Sequence, residues 1–160
     1  MIGRVDNETL ANLVQRSRSS ERKRAAQALQ PYDKDGIRVI VNCIQPGSYV
    51  QPHLHSSKYN QESEIWVPIQ GRIALVTFNS EGSTQEIHYL SKYPNDCSYL
   101  EITSDTFHTA ISLEADSIML EFSRGPYNPQ TYKNFARWAP AEEEIELATQ
   151  YLLNLKSKLS

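Results

Sequence analysis

The chain has no apolar run approaching the roughly 18 residues that a membrane-spanning helix needs. It also lacks an excess of positive charge. Sixteen Lys and Arg stand against nineteen Asp and Glu, a net charge of −3 over 160 residues, where a nucleic-acid-binding surface would be basic. The N-terminus, Met1 to Asp6, has no apolar stretch of the kind a secretory signal carries, so a cytoplasmic location is expected. Cysteine is scarce. Cys43 and Cys97 lie far apart in strand-like runs and read as reduced packing residues. There is no internal repeat, low-complexity tract, linker, Gly-rich phosphate loop or Ser nucleophile elbow. What these absences leave is a soluble chain long enough for one domain, residues 1–160, with a real core.

What is present centres on Gly47-Ser48-Tyr49-Val50-Gln51-Pro52-His53-Leu54-His55. Side chains alternate faces along a strand, so His53 and His55 would point the same way and could share a metal ion. Glu64, on the next extended run, can add a carboxylate, and His108 lies in a later one, Phe107-His108-Thr109-Ala110-Ile111. Neutral imidazole and carboxylate suit a borderline divalent metal such as Fe, Mn, Ni or Zn. His88 has no partner at ligand spacing and reads as a non-ligand.

The order Gly47, His53, His55, Glu64, Gly71, then His108 resembles the two motifs of the cupin family. The eight residues between His55 and Glu64 make a longer gap than that family has, which leaves Glu62 as a competing ligand. Thr103 and Asp105 stand where its second motif has proline and glycine. A closer resemblance covers most of the chain. Ser17 to Arg24, Pro46 to His55, Glu121-Phe122-Ser123-Arg124-Gly125-Pro126-Tyr127 and Lys133-Asn134-Phe135-Ala136-Arg137-Trp138-Ala139-Pro140 look like the WbuC-type cupin metalloproteins. Those are small bacterial proteins found with surface-polysaccharide (O-antigen) biosynthesis genes. The resemblance implies a cupin double-stranded β-helix holding one divalent metal.

Taken in order, residues 7–30 read as a helical segment. Leu10, Leu13 and Val14 share a face, Asp6 or Asn7 caps the start, and a second short helix, Glu21 to Leu29, stops at Pro31. Arg16, Arg18, Arg22, Lys23 and Arg24 form either a solvated face or an anion contact. Pro31 to Gly36 reads as a turn. Strands are expected at Ile37–Ile44, around His53 and His55, at Ile65–Ile69, Arg72–Phe78, Gln85–Leu90, Ser98–Ile102, Thr106–Ser112 and Ser117–Ser123. Pro68 marks an edge, a bulge or a strand end, and Gln70-Gly71 signals a hairpin. Eight short strands without intervening helices make residues 37–123 a mainly β, jelly-roll-type barrel. Residues 124–158 read as an irregular stretch and then a helix opened by Pro140. Its apolar stripe, Ile145, Ala148, Leu152, Leu155 and Leu159, packs on a sheet or forms a homodimer contact.

With His53 and His55 inward, alternation puts Tyr49 and Gln51 on the same face, and with Glu64 inward it does so for Trp66 and Pro68. On Ser117–Ser123 either Ile118, Leu120 and Phe122 or Met119 and Glu121 face the site; barrel cores favour the apolar set. Three imidazoles and a carboxylate leave one or two positions for water or substrate. Glu121 and Tyr49 are candidates for proton transfer, and Lys58, Tyr59, Trp66 and Arg72 for substrate contact. Each has an ordinary structural reading beside this one. Three functions are open: a metal-dependent isomerase or epimerase acting on a sugar or nucleotide-sugar, a non-haem metal dioxygenase, and a small-molecule-binding cupin without catalysis.

Overall fold

The computed structural model describes residues 4–29, 36–59, 63–124 and 127–159. They form helix α1 (Asn7–Ser19), helix α2 (Ile145–Lys156) and ten strands. The strands are β1 (Arg24–Ala28), β2 (Ile37–Ile44), β3 (His53–Leu54), β4 (Ser63–Gln70), β5 (Ile73–Phe78), β6 (Thr84–Leu90), β7 (Leu100–Thr103), β8 (Phe107–Ser112), β9 (Ser117–Arg124) and β10 (Asn134–Phe135). Two five-stranded antiparallel sheets result, in the orders β1-β2-β9-β4-β7 and β10-β3-β8-β5-β6. The eight strands expected between residues 37 and 123 are all present. No helix of the described residues is long and apolar enough to cross a membrane.

Three apolar layers organise the fold. Ile44, Trp66, Ile73, Leu75, Leu90, Ile102, Ala110 and Met119 pack between the sheets. Leu13 of α1 packs with Val41, Cys43 and Ile118 on the outer side of the first sheet. Leu152 and Leu155 of α2 pack with Ala74, Val76, Phe78 and Ile111 on the outer side of the second. β5 therefore buries both faces, and all six of its residues are buried.

Local chemistry explains most of the boundaries. Asp6 caps α1 by accepting from the backbone N–H of Thr9 at 2.9 Å. At Gly71 the backbone has φ +71°, and a Cβ there would meet Ser117 Oγ at 2.5 Å, so only glycine fits. The Gln70-Gly71 turn is not a hairpin, because β4 and β5 belong to different sheets; the turn carries the chain across the barrel. Pro68 sits at a register shift between β4 and β9, the bulge reading of that proline.

Several expectations are corrected. Residues Glu21 to Leu29 are not a second helix. Lys23 takes a left-handed φ of 53°, and β1 then pairs with β2 from Arg24↔Ile44 to Ala28↔Ile40. The unsatisfied edge of β2 outweighs the helix propensity of three alanines. On β9, Met119 rather than Ile118 packs between the sheets, because α1 covers the outer face and makes it equally apolar. The stretch after Tyr127 is not wholly irregular, since β10 pairs with β3. α2 starts at Ile145 and not at Pro140, and Ile145 is 74% exposed. Of the α2 stripe, Leu152, Leu155 and Leu159 pack on the chain's own second sheet, the first of the two expected readings. Cys43 and Cys97 are both free thiols. The turn expected at Pro31 to Gly36 lies, but for Gly36, outside the described residues.

Leu13→Ala should lower stability by about 2–5 kcal/mol, since it empties a fully buried site beneath α1. Leu147→Ala, at a position 58% exposed, should shift it by no more than about 0.5 kcal/mol. Urea denaturation of the two variants measures both.

Candidate metal centre

Strand pairing brings the histidines together. His53 on β3 is the antiparallel partner of His108 on β8, and His55 follows just beyond β3. Ring centroids are 4.7 Å apart for His53 and His108, 5.2 Å for His53 and His55, and 5.6 Å for His55 and His108. One ring nitrogen from each lies within 4.8 Å of the other two, and all three residues are buried. Glu64 faces them from the other sheet. Its Oε2 is 2.9 Å from His55 Nε2 and its Oε1 is 3.1 Å from His108 Nε2.

A second set of contacts orients the rings. Nδ1 of His53 lies 2.9 Å from the Gln51 carbonyl oxygen, Nδ1 of His55 2.5 Å from that of Tyr132, and Nδ1 of His108 2.9 Å from that of Thr106. A carbonyl oxygen only accepts, so each Nδ1 carries a proton, and each neutral ring keeps its lone pair on Nε2. Burial holds the His53 pKa well below its ordinary value. Burial pulls His55 the same way, but the hydrogen bond and charge of Glu64 outweigh it and leave the pKa raised. Burial alone would raise the Glu64 pKa, yet His108 and His55 together hold it well below the usual carboxylate range.

This donor set fits a cation. His108 Nε2 is buried and, despite Glu64 at 3.1 Å, has no hydrogen-bond partner among the described residues. Without an ion, His55 Nε2 can only hydrogen-bond Glu64 by carrying a proton. A divalent ion would take the place of that proton and bond ring nitrogens and carboxylate alike, and the Nδ1–H to carbonyl contacts are the usual outer support of metal-binding imidazoles.

A cavity of about 480 Å³ opens onto this cluster and is lined by His53, His55, Glu64, Trp66, Met119 and Glu121, with further residues from β1, β2 and the segment before β10. Glu121 accepts hydrogen bonds from the Tyr132 hydroxyl at 2.7 Å and from Asn42 Nδ2 at 3.1 Å. Burial pushes the Tyr132 pKa up, so the phenol stays a donor. The Arg38 guanidinium is 3.7 Å from Glu121 and lies over the Tyr127 and Tyr132 rings, at 4.7 and 4.1 Å from their centroids.

Of the residues singled out in the sequence, His53, His55, Glu64 and His108 converge, and Trp66 and Glu121 line the cavity. Five others are not cavity residues. Tyr49 donates to the Pro140 carbonyl at 2.8 Å and packs edge-on against Tyr151, because β3 is only two residues long and strict alternation does not reach back to it. Gln51, expected beside it, donates to the Ala136 carbonyl. Lys58 and Tyr59 are exposed on a 3-10 turn, Ser57–Tyr59. Arg72 pairs with Asp96 at 2.7 and 3.0 Å and stacks over Tyr89. Glu62 lies outside the described residues. His88 is away from the cluster, with Nε2 2.9 Å from Glu86.

Sequence reasoning missed Arg38, Asn42, Tyr127, Tyr132 and Lys133 on the cavity wall, while Arg22 and Arg24, also on it, come from the basic segment read as a solvated face or an anion contact. The signal for two of them was the alternation Arg38, Ile40, Asn42, Ile44, all four of which line the cavity. The basic segment finds mostly internal partners: Arg18 pairs with Asp116, while Arg24 binds both carboxylate oxygens of Glu142, at 2.6 and 2.7 Å, and Arg22 reaches the same group.

A family model with the description "Domain of unknown function (DUF6016)" matches residues 5–90. No curated protein matches. Protein SO0799 from Shewanella oneidensis superposes with a TM-score of 0.57 at 8% identity, over 80% of this chain and 81% of that one. The capsular polysaccharide assembling protein CapF from Staphylococcus aureus gives 0.55 at 16% identity, over 69% of this chain and 29% of that one. The DMSP lyases RdDddP and RnDddQII give 0.52 at 16% identity, over 72% of this chain and 53% of that one. The chain thus spans under a third of CapF's length and about half of the lyases'. These likenesses establish a cupin-type jelly-roll fold.

Glu142→Ala leaves Arg24, whose side chain is 18% exposed, without its carboxylate and should cost about 1.5–3 kcal/mol in urea denaturation. Arg22→Ala removes a side chain 64% exposed and should cost less than about 1 kcal/mol.

Proposed function

The chain belongs to the DUF6016 family, whose description names no chemistry, and from the geometry of its cavity we propose that it is a divalent-metal-dependent enzyme acting on a saccharide-type small molecule. The observation that carries this reading is the convergence of three buried imidazoles, each with its Nδ1 held by a backbone carbonyl, beside a Glu64 carboxylate that lies 2.9 and 3.1 Å from Nε2 of His55 and His108. His53, His55, His108 and Glu64 would hold the ion. When bound, it would supply Lewis acidity toward a carbonyl or hydroxyl oxygen.

The remaining chemistry falls to side chains of the cavity. Glu121 is held by Tyr132 and Asn42 on the same cavity as the imidazoles, where it can take a proton from a carbon next to a carbonyl and return it. Isomerisation and epimerisation need that proton transfer and no co-reactant. Trp66 offers an aromatic wall to a sugar ring. The likeness to CapF, described as a capsular polysaccharide assembling protein, and the resemblance to WbuC-type cupins support a role in bacterial surface-polysaccharide synthesis.

Metal analysis of protein purified without a polyhistidine tag tests the centre. His53→Ala and His108→Ala should lose most of the metal and His88→Ala should keep it; full occupancy in His108→Ala would remove His108 from the set. Turnover of a nucleotide-sugar panel, abolished by EDTA, tests the reaction. Oxygen uptake with iron in the protein and no isomerised product would point instead to a dioxygenase. Thermal stabilisation by a sugar with no product would point to a binding protein.

A further inference from the structure

The cavity carries more positive charge than its own carboxylates neutralise. Arg22, Arg24, Arg38 and Lys133 line it. Two of these arginines share the single carboxylate of Glu142. Arg38 faces Glu121. Lys133 makes no hydrogen bond or ion pair with any described residue. Glu64, the other carboxylate on the wall, already faces the imidazoles.

Lys133 is placed by the structure around it. The residue before it, Tyr132, accepts from His55 through its carbonyl and packs its ring 4.3 Å from the His55 ring. The residues after it, Asn134 and Phe135, pair with Leu54 and His53, and Ala136 donates to the Pro52 carbonyl at 2.8 Å. The backbone on either side of Lys133 is thus tied to the segment that carries His53 and His55.

We propose that the ligand of this cavity is a monosaccharide-sized oxyanion, a sugar carboxylate or a sugar phosphate, whose anionic group pairs with Lys133 while its hydroxyl or carbonyl oxygens face the three imidazoles. This rests on the reading of the cavity as a saccharide site. A lysine is a point charge with rotatable donors, so it accepts a carboxylate or a phosphate alike; the forked guanidinium of Arg24 is already taken by Glu142. A cavity of about 480 Å³ falls in the size range of small-molecule sites.

The test is calorimetric titration of the purified protein with glucuronate, glucose 6-phosphate and glucose. One or both anions should bind about tenfold or more tightly than glucose, the scale of a charge-assisted hydrogen bond. Lys133→Met should bring the anions down to the level of glucose, and Lys133→Arg should keep most of the preference. Which anion binds more tightly separates the carboxylate from the phosphate. The proposal is overturned if neither anion binds better than glucose, or if Lys133→Met keeps the preference. Metal content measured on the same samples separates the two readings. Metal-free protein that still prefers anions keeps the anchor and removes the metal, whereas metal-loaded protein without the preference does the reverse.

Discussion

Three backbone carbonyls decide what this cavity can be. Those of Gln51, Thr106 and Tyr132 each accept the Nδ1–H of one imidazole and so leave Nε2 as the nitrogen the ring can offer a cation. Each contact contributes only about 1 kcal/mol to stability. Its larger effect is on tautomer and ring orientation, without which three buried histidines would be ordinary polar core residues. Two of the three contacts are local, reaching back two residues along the strand. The third is not, because Tyr132 lies 77 residues beyond His55. The centre is therefore complete only when the segment after β9 is docked.

That docking is secured at several points. β10 extends the second sheet beside β3, and the Phe135 ring lies 6.0 Å from His53. Trp138 packs on Phe78 and Phe107 at 5.1 and 5.7 Å. Gly82 makes room for that indole, since a Cβ at Gly82 would come within 2.7 Å of it. Glu142 then ties the approach to α2 back to β1 through Arg24. The same segment supplies Tyr132 and Lys133 to the cavity wall, so the contacts that fix its fold also fix the polar side of the site.

The strands and the converging side chains were legible because both obey short-range rules. β2 matched its expected bounds to the residue, and His53, His55, Glu64 and His108 were visible in their types and spacing. What stayed hidden depends on contacts distant in sequence. An Ala-rich stretch became β1 only because β2 offered an open edge. The inner face of β9 was misjudged because α1 and α2 cover the outer sides of both sheets, so apolar residues mark the outside of the barrel as well as its interior. Arg38 and Asn42 sat in a run dominated by Ile and Val, and nothing local tied Tyr132 or Lys133 to the histidines.

A cavity serving only as core would not be built this way. Placing Arg38 and Glu121 together in a buried setting costs desolvation of both ions, and an apolar pair would fill the space at least as stably. Here the pair is kept and supported by Tyr132, Asn42 and the Tyr127 ring. Ile40, Ile44, Ala110 and Met119 line the same space. The lining thus combines charged donors and acceptors with aliphatic and aromatic surface. A pyranose combines the same features, with hydroxyls around its edge and C–H bonds on its faces. The buried Trp66 Nε1–H has no acceptor among the described residues, and an unmet group of that kind costs about 1–3 kcal/mol.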